Sequence, residues 1–139
     1  MKYVLLLLMS LMSGIVDLQA QESKHNIDIE ITNISSDKGT LYVALHNSEN
    51  TWLGDRYMNT IAKSTNGMAT VTFNGVPEGI YAVAIWHDKN DNQIFDTNFL
   101  GIPKEATAAS NNASGFTSAP KWKDAKFELK DSLSISIKM

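Results

Sequence analysis

In separate runs between Ile27 and Ile137 the apolar residues of this chain recur at every second position, a period that belongs to the extended strand and not to the helix. Ile27, Ile29 and Ile31 alternate with Asp28, Glu30 and Thr32, and Leu41, Val43 and Leu45 follow the turn-like residues 35–39. The two runs predict a hairpin. Ala69, Val71 and Phe73 form a third run, and residues 75–79 (Gly-Val-Pro-Glu-Gly) predict a turn. After it, Tyr81, Val83 and Ile85 alternate with Ala82, Ala84 and Trp86, so both faces are apolar and the strand should be covered on both sides. Phe127 and Leu129, the turn at Lys130 and Asp131, and Leu133, Ile135 and Ile137 predict a last hairpin. Between Asn47 and Asn66 no period emerges, and residues 49–54 read either as a short helical turn or as a loop packed down by Trp52. About seven short strands without a long helix predict an all-β fold, a single antiparallel β-sandwich.

The N-terminus has the layout of a secretory signal peptide: Lys2 as the positive region, an uncharged and largely apolar stretch over residues 3–16, and Leu18-Gln19-Ala20 before a cleavage point. A membrane anchor is the competing reading. A spanning helix needs roughly 20 predominantly apolar residues, whereas this run contains Ser10, Ser13 and Gly14 and meets Asp17. We therefore expect residues 1–20 to be a cleaved signal peptide and residues 21–139 to form one domain, exported to the periplasm or beyond the cell and without a membrane span.

The formal net charge is −3, and loss of Lys2 together with Asp17 leaves that balance unchanged. So mild an acidity offers no electrostatic footprint for nucleic acid. The chain has no cysteine, which rules out disulfides and lipid attachment at an N-terminal thiol. Burial, aided by a bound ion, would then supply the stability that small exported domains often take from disulfides.

Residues 76–83 resemble the turn and strand of transthyretin-like and carboxypeptidase-regulatory-like sandwiches. More specifically, Trp86-His87-Asp88-Lys89-Asn90-Asp91-Asn92, Asp96-Thr97-Asn98-Phe99-Leu100-Gly101-Ile102-Pro103, Glu105 and Ser110-Asn111-Asn112 resemble the signature of a bacterial family of exported domains of unknown function. The resemblance extends over nearly all of residues 21–139 and implies an immunoglobulin- or transthyretin-like sandwich, without implying an activity.

Asp88, Asn90, Asn92 and Asp96 fall at positions 1, 3, 5 and 9 of an oxygen-rich calcium loop, with the backbone carbonyl of Ile94 at position 7. Carboxylate and amide oxygens suit a hard cation such as Ca2+ better than zinc or copper. Two positions depart from the pattern. Gln93 stands where glycine would turn the chain, at a cost on the order of 1 kcal/mol in a left-handed conformation, and Phe99 stands where a bidentate glutamate would close the site. Glu105 or Asp91 would have to substitute. Asp and Asn also build turns unaided, through side-chain to backbone hydrogen bonds, so an ion site and a self-capped turn both remain open here.

His87 beside Asp88 suggests a general base, but strand neighbours face opposite ways. The chain has no cysteine nucleophile and no nucleophile-elbow serine. A zinc site from His46 and His87 would require two strand ends to meet. Residues 104–119, rich in Ala, Ser, Asn and Thr, predict a long ordered loop folded back over 88–96 and anchored by Phe99, Leu100, Ile102 and Phe116. Trp52, Trp86 and Trp122 read as packing residues before they read as a glycan or peptide platform. The expectation is a non-enzymatic binding or structural module of the cell envelope with a protein or glycan partner and Ca2+ at Asp88, Asn90, Asn92, Ile94, Asp96 and Glu105. The alternative is a small metal-dependent hydrolase or other enzyme using His87, Asp88 and Glu105.

Overall fold

A computed structural model describes residues 21–115 and 118–139, so the expected signal peptide and the anchoring role of Phe116 lie outside the described residues. Eight strands occur among them: β1 (Lys24–Thr32), β2 (Thr40–His46), β3 (Met58–Ala62), β4 (Ala69–Pro77), β5 (Gly79–Asp88), β6 (Thr107–Ala109), β7 (Phe127–Leu129) and β8 (Leu133–Lys138). One helical turn, α1 (Trp122–Ala125), precedes β7. The strands form a three-stranded sheet in the order β4-β1-β8 and a five-stranded sheet in the order β3-β2-β5-β6, with β7 also paired to β5.

The alternating pattern buries one core between the sheets. Ile27, Ile29 and Ile31 of β1, Leu41, Val43 and Leu45 of β2, and Tyr81, Val83 and Ile85 of β5 meet there with Phe73, Leu129 and Ile137. The second apolar face of β5 is covered as expected. Ala82 lies beneath Trp122 and Ala125 of α1, with Ala109 of β6 and half-buried Trp52 beside them.

Pairing differs from the sequence expectation in an instructive way. Neither predicted hairpin forms, because β1 pairs with β4 and β8 while β2 pairs with β3 and β5, and because β7 pairs with β5 while β8 pairs with β1. Each short connection carries the chain from one sheet to the other. A strand apolar on one face gains more by placing its successor across the core than beside it. The β1–β8 pair is parallel, with Ile29 opposite Ile135, so the sandwich is antiparallel in every other pairing but not in this one. The stretch without a period contains both a 3-10 turn (Glu49–Thr51) and β3, whose alternation of half-buried and exposed residues is too shallow to read from composition. Trp52 packs edge-on against Trp122 at a centroid distance of 5.8 Å.

Among the described residues of 104–119, Lys104 and Glu105 reach the acidic loop and the rest do not fold over it. They contribute β6, which pairs with Ala84–Trp86 of β5, and a turn in which buried Ser110 accepts a hydrogen bond from the Val83 N–H (2.9 Å) and donates to the Ala125 carbonyl (2.6 Å). Asn111 and Asn112 extend that bracket to α1 and β8, through the Lys126 carbonyl (2.9 Å) and the Lys138 N–H (2.8 Å). The expected anchors Phe99, Leu100 and Ile102 are exposed.

Candidate functional site

The acidic loop begins where β5 ends. Thr40 and Asp88 are opposite each other at the end of the β2–β5 ladder, and beyond that point the chain has no sheet partner, so its polar backbone must be satisfied locally. Asp88 does much of this. Its side chain is 0 % exposed, and its carboxylate accepts the N–H of Asn92 at 3.2 Å and of Gln93 at 2.8 Å. Asn90 Oδ1 accepts the Asn92 N–H (3.2 Å) and Asn92 Oδ1 the Ile94 N–H (2.9 Å), two successive Asx turns. Gln93 takes the left-handed conformation at φ 61°, which aims its N–H at Asp88.

The side-chain amides of Asn90 and Asn92 converge on a single atom, Asp96 Oδ2, at 3.0 and 2.9 Å. Glu105 closes the loop from the far side. Its carboxylate accepts the Trp86 indole N–H at 2.7 Å, the Lys89 N–H at 3.3 Å and the Asp96 N–H at 3.4 Å. Trp86 in turn stacks on Tyr42 at 4.7 Å and meets Phe95 edge-on at 5.7 Å.

Of the predicted residues, Asp88, Asn90, Asn92 and Asp96 are therefore tied into one cluster and Glu105 reaches it. Ile94 joins through its backbone N–H and not through the carbonyl expected of a ligand, with its side chain in solvent. Asp91 does not reach: it turns outward to accept the Thr40 hydroxyl at 2.6 Å and faces Lys63 at 3.4 Å. That hydroxyl first, and then the ammonium, hold its carboxyl below the usual carboxylate range. Among the described residues no basic side chain is paired with Asp88, Asp96 or Glu105, and no group of three or more His, Cys, Asp or Glu side chains is arranged to hold a metal ion. Any cation here would draw on amide and backbone oxygens as well as carboxylates, as calcium does.

The histidines are placed elsewhere. His87 Nε2 donates to the Lys38 carbonyl at 2.8 Å, on the opposite strand face from Asp88. His46 and His87 sit at opposite ends of the β2–β5 pair, opposite Ala82 and Leu41 respectively, so the two-histidine zinc site does not form. His46 Nδ1 lies 3.1 Å from the Asp55 carbonyl, and burial lowers its pKa from 6.5. Sequence reasoning missed the hairpin that follows the acidic loop. Thr97 and Pro103 bridge, and between them Phe99, Leu100 and Ile102 project into solvent. The Asn98-x-x-Gly101 spacing, which makes turns, was the available signal.

A two-sheet all-β domain with an Asp- and Asn-rich loop, braced by a glutamate, at the exit of its central strand defines the class. The chain belongs to the bacterial family described as "Uncharacterized protein conserved in bacteria (DUF2141)", whose model matches residues 29–136, from within β1 to within β8. The chain matches no curated protein and no solved structure.

Proposed function

We propose that the protein is a non-enzymatic binding module of the bacterial cell envelope, with a loop at residues 88–96 that takes Ca2+ through Asp88, Asn90, Asn92, Ile94 and Asp96, aided by Glu105. The observation that carries this reading is Asp88, a wholly buried carboxylate with no basic partner among the described residues. Buried charges are ordinarily paired or coordinated, and the backbone N–H groups it accepts leave lone pairs free for a cation. Asn90 and Asn92 stand at calcium-loop spacing, with their amide N–H groups on Asp96 Oδ2 and their Oδ1 atoms on backbone N–H groups, so the ion would replace the two amide contacts on Asp96 as those side chains turn, and Glu105 stands in for the bidentate acid absent at Phe99. The HDxNxN signature and the envelope location implied by the resemblance belong to the same proposal. The enzyme alternative gains nothing from His87, whose ring is committed to a backbone carbonyl away from Asp88 and Glu105.

Thermal unfolding of residues 21–139 in EDTA and across a calcium titration tests it. Ion bound only by the folded state adds about 2.7 kcal/mol at a hundredfold excess over Kd. A rise in midpoint that Asp96→Asn removes supports the reading. No shift at millimolar calcium would leave the loop as a self-capped turn.

A further inference from the structure

We propose that the hairpin of residues 97–103 is a membrane-docking tip that inserts Phe99, Leu100 and Ile102 into the interfacial layer of a phospholipid bilayer. This deepens the binding-module reading by naming the partner, and it does not depend on the ion.

Phe99 is 95 % exposed, Leu100 68 % and Ile102 55 %. A Cβ placed on Gly101 would meet nothing within 4 Å, so the space beside the turn at Gly101 is open. Solvent exposure of three adjacent large apolar side chains on a convex turn is unfavourable unless something else receives them.

Four backbone N–H groups of the tip, those of Asn98, Leu100, Gly101 and Ile102, are satisfied from within. The Leu100 and Ile102 N–H groups both donate to Asn98 Oδ1, at 2.9 and 3.0 Å. The Asn98 N–H donates to the Ile102 carbonyl and the Gly101 N–H to the Asn98 carbonyl, each at 2.9 Å. A segment that enters hydrocarbon must bring its hydrogen bonds with it, since nothing there replaces water as a partner. This turn does so for four of its N–H groups, two of them through the Asn98 side chain.

Residues 97–103 carry no charge, with Asp96 directly before them and exposed Lys104 directly after them. A lysine at that level suits the headgroup zone, where its stem lies along apolar surface and its ammonium group stays wet. A protein partner fits less well. A stable protein interface takes roughly 20 to 30 residues a side, whereas this tip is seven residues long and convex. A bilayer accepts isolated side chains without a complementary pocket.

The test uses residues 21–139, which contain the eight described strands and both apolar clusters. The chain has no cysteine, so Phe99→Cys carries an environment-sensitive fluorophore at one site. It is mixed with phosphatidylcholine vesicles, with and without phosphatidylglycerol, in EDTA and in calcium. In parallel the unlabelled protein, Phe99→Asp and Leu100→Asp are floated with the same vesicles. The expected result is a blue shift of the label, flotation of the parent protein, and at least about tenfold weaker partition of each variant, the loss that removing one buried apolar side chain implies, with unchanged thermal midpoints. A label that stays aqueous with every vesicle, or flotation that survives both substitutions, overturns the proposal. Self-association that both substitutions abolish, without vesicle binding, also overturns it and assigns the tip to a second copy of the chain. Insertion in EDTA by a protein that calcium does not stabilise upholds the tip and removes the ion site. Insertion in calcium alone upholds both.

Discussion

Gly39, at the turn into β2, lies against the backbone of Asp88, at the exit of β5. With Gly39 at φ +87°, a Cβ there would collide with the Asp88 carbonyl oxygen and come within 2.6 Å of Lys89 Cα. The acidic loop thus leaves the sheet under the constraint of a residue almost fifty positions earlier, and the contact is backbone on backbone, with no flexible side chain to give way.

Gly39→Ala is accordingly expected to destabilise the fold by at least about 2 kcal/mol, because a left-handed alanine and a backbone clash must be relieved together. Denaturant unfolding reads the cost. A loss below a few tenths of a kcal/mol would mean that the β2 turn and the loop are not in contact in solution.

Asp88→Ala removes the acceptor of the Asn92 and Gln93 N–H groups. The expected loss in EDTA, where no ion contributes, is about 2 to 3 kcal/mol, since hydrogen bonds to a charged group are among the stronger ones. Increased amide exchange confined to residues 89–96 would accompany it. An unchanged midpoint in EDTA would contradict the structural role of this carboxylate.

At φ 61°, Gln93 occupies a conformation that a residue with a Cβ adopts at a cost. Gln93→Gly should therefore stabilise the loop by up to about 1 kcal/mol, the relief of strain exceeding the added freedom of the unfolded chain. Destabilisation would show that the glutamine side chain contributes something its conformation does not reveal.

Glu105 connects Trp86 to the loop through the indole N–H and two backbone N–H groups. Glu105→Ala should cost about 1 to 2 kcal/mol and shift tryptophan emission to the red as Trp86 loses its partner. Restoration of the emission by Glu105→Gln, which keeps one acceptor oxygen for the indole, is the expected rescue. Emission that ignores both substitutions would separate Glu105 from the site.

His46 is 2 % exposed, and burial depresses its pKa below 6.5 in the folded protein. The unfolded chain therefore takes up the proton first on acidification. Stability from this group is present above pH 6.5 and declines as pH falls below it, by at most about 1.4 kcal/mol per pH unit. Denaturant midpoints between pH 7.5 and 5.5, compared between the parent protein and His46→Gln, should show the steeper slope in the parent. Parallel slopes would count against it.

The acidic loop was legible as a cluster because its spacing is local. The i to i+2 and i to i+4 hydrogen bonds that Asn90, Asn92 and Asp88 make are properties of the chain segment itself. Which acid would complete the loop was not legible. Asp91 is next to the cluster in sequence yet is drawn away by Thr40 and Lys63, while Glu105, nine residues beyond Asp96, comes back to it.

The sequence by itself determined that this chain builds strands, which faces of β1, β2 and β5 are buried, and where the acidic loop begins, because strand periodicity and turn chemistry act over a few residues. Tertiary structure alone decided that β1 and β2, and likewise β7 and β8, lie in different sheets, that β8 runs parallel to β1, that His46 and His87 stand at opposite ends of a ladder, and that Phe99 faces solvent. Those outcomes depend on which surfaces remain uncovered after the rest of the chain has packed, a competition among distant segments that no local pattern encodes.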